Sequence, residues 1–292
     1  MRLVQLYQRQ KYTFSFEFFP PKTREAEAKL FETLKELKRL QPSFVSVTYG
    51  AMGTTRADTL RIVSRIKNEI GLETAAHLAC IGHTREEIEE ILSRLCEQGI
   101  ENLVALRGDR PEDSEFHPPH DGFHYASELV HFIRHHPRFG RAFSLAVAGY
   151  PEGHIECRDL RKDLEHLKRK VDEGADVVIT QLFFRNSDYF GFVERARKIG
   201  IQQPVVPGIM PVTNGAQIER FARMCGAAIP SEIKAVIEKY GEDQKSIEAY
   251  GIGYAICQCR DLLKGGVPGI HFYTLNKSRA TREIYTSLGL AG

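Results

Sequence analysis

The sequence predicts a single (β/α)8 barrel, with extra helices inserted between strands 7 and 8. Three observations carry that prediction. Short β-rich runs alternate with longer amphipathic stretches from one end to the other, which is the pattern of parallel βα units. Eight such runs can be counted. No glycine-rich nucleotide turn follows the first of them, as an open doubly wound sheet would require.

In chain order the strand candidates are Phe14 to Phe19, Phe44 to Gly50, Glu73 to Cys80, Asn102 to Gly108, Ser144 to Tyr150, Val177 to Phe183, Pro204 to Ile209 and Ile270 to Thr274. Between the first two, Thr23 to Leu40 places Leu30, Leu34 and Leu37 at helical spacing. Arg85 to Gln98 repeats the pattern with Ile88, Ile91, Leu92 and Leu95, so each can cover a sheet. Gly71, Gly99, Gly174 and Gly200 fall where left-handed helix caps belong, just before the next strand. The turn after the first strand reads FFPPKT. Gly251-x-Gly253 imitates a nucleotide motif but lacks the final glycine and follows a helical segment, so it is discarded. Helices at Asn214 to Met224, Ser231 to Tyr240 and Gln244 to Lys264 fill the last long gap as an insertion, and residues 1–292 read as one domain.

Composition narrows the function classes. Hydrophobic residues at 42% and charged residues at 27% describe an ordinary globular protein. A formal charge of +2 is too balanced for a dedicated nucleic-acid or anionic-membrane surface, so small-molecule partners are expected. The N-terminus lacks the apolar core of a secretory signal, and no run is long enough to span a bilayer, which points to the cytoplasm. The six scattered cysteines are expected to be reduced, and Cys257-x-Cys259 is assigned no chemistry.

Barrel active sites gather where strands end. Glu17 lies within the apolar first strand, Thr48 and Tyr49 close the second, His77 lies in the third and Arg107-Gly108-Asp109 closes the fourth. Tyr150 and Gln181 mark the fifth and sixth. A carboxylate inside FSFEFF is costly to bury, and desolvation raises its pKa toward the range useful for proton transfer. Its ordinary alternative is a carboxylate satisfied by backbone donors. Asp109 could cap its loop with Arg107 paired to it, His77 could be structural, and Tyr150 could be a packed ring. Their shared location shifts the balance toward a site.

Other barrel chemistries fit less well. The first strand has no histidine for a metal-dependent hydrolase, and the segment holding His117, His120, His124, His131, His135 and His136 reads as a solvated face; no metal is expected. A Schiff-base aldolase needs a buried lysine where this chain has Gln181.

The segments FSFEFFPPKT, FVSVTYGA, AAHLACIG, NLVALRGD, AGYPEGH, LKRKVDEGADVVITQLFF, PGIMPVTN and HFYTLN, in that order, resemble the successive motifs of methylenetetrahydrofolate reductases over nearly the whole chain. That resemblance implies a barrel that binds FAD at its C-terminal face. It also implies a ping-pong reaction in which NAD(P)H reduces the flavin and the flavin reduces 5,10-methylenetetrahydrofolate to 5-methyltetrahydrofolate. By the same matching Glu17 is the general acid that assists opening of the methylene bridge. Asp109 is the acid near the flavin pyrimidine ring and the pterin, whose charge makes the reduced flavin a readier hydride donor.

Thr48, Tyr49, Ala51, His77, Arg107, Gly108, Asp109, Tyr125, Ala126, Tyr150, His154, Asp163, Arg169 and Lys170 would line the flavin site, with basic side chains meeting the pyrophosphate. Gln181, Gln217, Phe221 and Tyr273 would contact substrate; Phe221 could equally be a core position of its helix. Cys157 and His166 receive no role. The resemblance further suggests a homo-oligomer, without the regulatory extension of eukaryotic relatives. The alternative is a flavin-binding subunit that exchanges electrons with partner proteins, although the chain offers no cysteine cluster for a relay of its own. A metal-dependent hydrolase stands third.

Overall fold

The computed structural model describes residues 1–49, 56–109, 117 and 119–289. Eight strands pair in parallel in sequence order, and the last closes on the first. They are β1 (Thr13–Phe18), β2 (Phe44–Val47), β3 (Thr74–Ala79), β4 (Asn102–Leu106), β5 (Ser144–Gly149), β6 (Val177–Leu182), β7 (Val205–Ile209) and β8 (Gly269–Tyr273). All eight expected runs are strands, each ending one to three residues early where the chain leaves the ladder, apart from β7, which ends as expected.

The described helices are α1 (Leu3–Arg9), α2 (Arg24–Lys38), α3 (Arg56–Arg65), α4 (Arg85–Glu97), α5 (Ala126–His135), α6 (Leu160–Asp172), α7 (Asn186–Lys198), α8 (Gly215–Cys225), α9 (Ser231–Tyr240), α10 (Gln244–Lys264) and α11 (Arg279–Ser287). α3 runs on into a π-helical turn, Ile66–Ile70, that the sequence pattern does not announce. Gly71, Gly99, Gly174 and Gly200 all have positive φ, as their cap positions require. Among the described residues no helix is long and apolar enough to cross a membrane.

Side chains alternate across each strand, and here the alternation separates two interiors. On β1, Phe14, Phe16 and Phe18 point outward into the layer shared with Leu30, Leu34 and Leu37 of α2. Ser15 and Glu17 therefore point into the barrel. Inside, a smaller apolar cluster of Phe44, Ala75, Val104, Ala146, Val177, Ile179 and Val206 is joined by Leu3 and Leu6 of α1.

α1, which the sequence reading left unassigned, closes the bottom of the barrel. Its first amides are satisfied by the starts of distant strands: Leu3 N–H donates to Asn102 Oδ1 at 2.7 Å and Val4 N–H to Ser144 Oγ at 3.2 Å. Burying its two leucines contributes about 2 kcal/mol each. With the lower half sealed by apolar groups, the polar inward residues collect at the upper, C-terminal half.

The inserted α8, α9 and α10 build a satellite core with Leu182, Phe184, Met210 and Val212 over the mouth near β6 to β8. Gly251 lets α10 cross the chain after β7. A Cβ there would lie 1.8 Å from the Val212 carbonyl oxygen, so only glycine permits this packing.

Candidate active site

Glu17 is 7% exposed and sits at the centre of a polar cluster inside the mouth. Its register partners are Ser46 on β2 and Tyr273 on β8. Glu17 Oε2 accepts from Ser46 Oγ at 3.3 Å and from His271 Nε2 at 3.2 Å. A carboxylate only accepts, so His271 carries a proton on Nε2, while its Nδ1 pairs with Ser15 Oγ at 2.7 Å. The result is a continuous hydrogen-bonded run linking Ser15, His271 and Glu17. His77 Nε2 also lies 3.2 Å from Glu17 Oε2, out of line for a hydrogen bond but close enough to attract the carboxylate whenever the ring carries a proton there.

This environment corrects the expectation that burial raises the Glu17 pKa. Burial does push it upward and is the largest single influence. The attraction of His77 and the hydrogen bond and charge of His271 together outweigh it and hold the carboxyl at about 2. In the ligand-free protein Glu17 is a carboxylate.

Tyr273 enters from the other side of Glu17. Its hydroxyl donates to the Thr180 carbonyl at 2.6 Å, crossing over Gly208. A Cβ on Gly208 would lie 2.7 Å from the Tyr273 hydroxyl and 2.3 Å from the Thr180 carbonyl oxygen. The β6–β7 register is irregular between Ile179 and Leu182, and Gly208 N–H donates to Thr180 Oγ1 at 2.9 Å in place of a regular ladder bond. Irregularities of this kind re-aim side chains beside active sites. Here it is Gln181 that is re-aimed, with its side-chain oxygen held by Leu182 N–H at 2.8 Å. Gln217 and Phe221 lie one turn apart on α8, on the same side of the helix, and Phe221 packs partly into the satellite core.

The opposite arc is basic and aromatic. Arg107, at the end of β4, binds Glu156 bidentately at 2.6 and 2.7 Å, so its partner is not the adjacent Asp109. Asp109 is exposed at the mouth. Burial dominates the proton affinities of Tyr150, His154 and Cys225, and the Asp109 charge adds a smaller push toward the protonated form at all three. Tyr150 packs edge-on against His154, centroids 4.6 Å apart.

Lys170 reaches the Ala148 carbonyl at 2.5 Å and lies 5.7 Å from the Tyr150 ring centre. Burial lowers its pKa to about 8, with Asp163 opposing the shift. Burial also raises Asp163, the buried acid three positions into α6. Arg169 is exposed on the next face of the helix, about 100° away.

Thr48 and Tyr49 follow β2, and Tyr49 Oη donates to His83 Nε2 at 3.0 Å. Tyr125 caps the start of α5, 55% exposed, with Ala126 as the first residue of that helix. Ala51 lies outside the described residues. Glu17, Asp109 and Gln181 thus share one mouth, whereas Arg169 points away from the Lys170 side. Sequence reasoning missed Ser15, Ser46 and His271. Each lies two residues from another inward residue or beside one in register, so strand alternation could have found them.

A closed parallel barrel with an ionised acid, a tyrosine, an amide and a basic arm at its C-terminal mouth is the architecture of a barrel enzyme. The methylenetetrahydrofolate reductase family profile matches residues 2–289, and the chain belongs to that family. It is 41% identical over 287 residues to methylenetetrahydrofolate reductase (NADH) 1 of Arabidopsis thaliana, covering 95% of this chain and 48% of the relative. The chain spans about half the length of the plant and fission-yeast relatives it matches. It is 40% identical over 276 residues to 5,10-methylenetetrahydrofolate reductase of Escherichia coli, covering 94% of this chain and 90% of the relative. A solved Clostridium thermocellum protein that binds two copies of 5-methyl-5,6,7,8-tetrahydrofolic acid shares the fold, with TM-score 0.64, 15% identity and coverage of 99% and 97%.

Proposed function

We propose that this chain reduces 5,10-methylenetetrahydrofolate to 5-methyltetrahydrofolate, taking electrons from NADH or NADPH through FAD in ping-pong order. The observation that carries this reading is the buried Glu17 carboxylate with a hydrogen-bonded proton run behind it, at the mouth of a barrel whose family carries that name.

The residues opposite Glu17 suit FAD. Lys170 is an ammonium whose contacts are a carbonyl and a ring face, and burial depresses its pKa even though Asp163 opposes the shift. A pyrophosphate beside it would add a further negative charge that favours the ammonium, with Arg107 and His154 as further donors. Tyr150, Tyr49, Thr48, His77, Gly108, Asp109, Asp163, Tyr125 and Ala126 would complete the lining. Bound there, FAD would supply a two-electron store that lets one site serve two substrates in turn.

The chain's own groups do the rest. Gln181, Gln217, Phe221 and Tyr273 orient the folate. Tyr273 is kept a hydrogen-bond donor, since burial and then the Glu17 charge push its pKa far up. Glu17 passes a proton to the substrate nitrogen that leaves the methylene bridge. Because Glu17 is ionised in the free protein, it must take up a proton before this step, and one passed on from His271 Nε2 has to be replaced at that ring from solvent. Asp109 places a fixed negative charge at the rim, beside the bound pterin.

The test separates the two half-reactions. Protein loaded with FAD should bleach anaerobically with NADH or NADPH and recover its colour with the folate. Glu17→Gln should bleach at the wild-type rate while its folate-dependent recovery slows about 10²- to 10⁴-fold, the usual worth of a positioned acid. Equal damage to both steps would remove the acid role, and failure of the wild type to hold or reduce FAD would remove the reading altogether.

A further inference from the structure

We propose that His131, His135 and Glu173 form a site for one divalent transition ion of the zinc, nickel or copper class. It lies at the end of the barrel opposite the active-site mouth. The sequence alone reads the two histidines as a solvated face, because the third member lies 42 residues beyond His131. The fold brings it in: His131 and His135 stand one turn apart on α5, and Glu173 caps the C-terminus of α6.

One ligand atom from each side chain lies within 4.8 Å of the other two. Ligands about 2.1 Å from a tetrahedral zinc are roughly 3.4 Å from one another, so rotamer adjustments on the order of 1 Å close the site. Both imidazoles are exposed and free to make them. Their rings already stack, with centroids 4.1 Å apart.

Hydrogen bonding sets the His135 ring in the tautomer an ion requires. His135 Nδ1 lies 2.9 Å from the His131 carbonyl oxygen, which can only accept, so Nδ1 carries the proton and Nε2 the lone pair. His131 Nδ1 lies 2.6 Å from Glu173 Oε2, so an ion held by these two atoms would take the place of the proton between them. A ring N–H held by a backbone carbonyl, with the other nitrogen open, is the usual support of a metal-bound histidine, and His135 has it.

The frame is rigid as well. Arg134, between the two histidines, donates to the carbonyls of Gly174 at 2.7 Å, Phe143 at 2.8 Å and Gly140 at 3.1 Å, and to Asp176 at 2.5 Å. The backbone beside Glu173 is thereby tied to α5 before any ion arrives. Two imidazoles and one carboxylate favour borderline ions over calcium or magnesium, which take mostly oxygen.

The probe is zinc alone, titrated into untagged FAD-loaded protein against a chromophoric chelator. One zinc per chain should bind, and it should raise the unfolding midpoint. His131→Gln and His135→Gln should each weaken binding at least about 10-fold, and Glu173→Gln about 10- to 100-fold. Flavin content should be unchanged in all three, which shows that the variants are folded and keeps the result separate from the reductase reading. No saturable binding, undiminished binding in the histidine variants, or binding abolished by alkylating the cysteines would each overturn the proposal.

Discussion

Glu17→Gln should flatten the acid limb of the protein's stability curve. The carboxyl sits at about 2 in the folded chain against an ordinary 4.5, which corresponds to about 3 kcal/mol favouring the ionised form in the fold. Burial opposes that shift, so the figure is the surplus of the two imidazoles over desolvation. A depressed folded pKa gives stability that is fully present above the ordinary value and is lost as pH falls toward the folded value. The stability contributed by the carboxylate should therefore decline by about 2 kcal/mol between about pH 5 and pH 3. Glutamine, of the same shape and without the titration, should lack that decline.

The assay is urea unfolding of flavin-free wild type and variant at half-unit pH steps, read by circular dichroism. The difference between the two unfolding free energies should be constant above about pH 5 and shrink below it. Parallel curves down to about pH 3 would show that His77 and His271 do not hold the carboxylate, and the proton run would lose its acceptor.

Two further outcomes follow from the opposite arc and from the strand irregularity. Lys170→Met should raise the FAD dissociation constant about 10- to 100-fold in a fluorescence titration, the loss of one charge-assisted contact. Wild-type affinity should also weaken as pH rises through about 8, where the free lysine loses its proton, and the variant should not show that step. Unchanged affinity in the variant would take Lys170 out of the flavin site. Gly208→Ala would set a methyl 2.3 Å from the Thr180 carbonyl oxygen and 2.7 Å from the Tyr273 hydroxyl. Overpacking of this kind costs about 1–3 kcal/mol and should lower the thermal midpoint; an unaffected midpoint would mean that Tyr273 does not cross Gly208 in solution.

The parts of this molecule that were legible in the sequence are those governed by local periodicity. The strand runs, the leucine spacing of α2 and the positions of Glu17, Asp109 and Gln181 near strand ends all follow from patterns within a few residues. What escaped depends on partners far along the chain. α1 is short and stands on Asn102 and Ser144, residues 99 and 140 positions beyond their amide partners. The ionisation of Glu17 depends on His271, 254 positions away, and no composition window contains both. Arg107 turned to Glu156 instead of its neighbour Asp109 for a related reason: the loop after β5 folds back across the end of β4.

The placement of the acid is secured by residues that have nothing to do with the reaction. Since side chains alternate along a strand, a slip of β1 by one residue would turn Glu17 out among the helices and bring Phe14, Phe16 and Phe18 into the polar mouth. Each of those rings is buried in the outer layer, and forfeiting that burial would cost roughly 2 kcal/mol apiece, on the order of 6 kcal/mol for the three. The bonds that Glu17 makes to Ser46 and His271 add to that preference. The correct register is therefore favoured even though it buries a charge, and the same choice aligns Ser15 with His271 and Glu17 with Ser46 and Tyr273. Three phenylalanines on the outside of one strand fix the site on the inside.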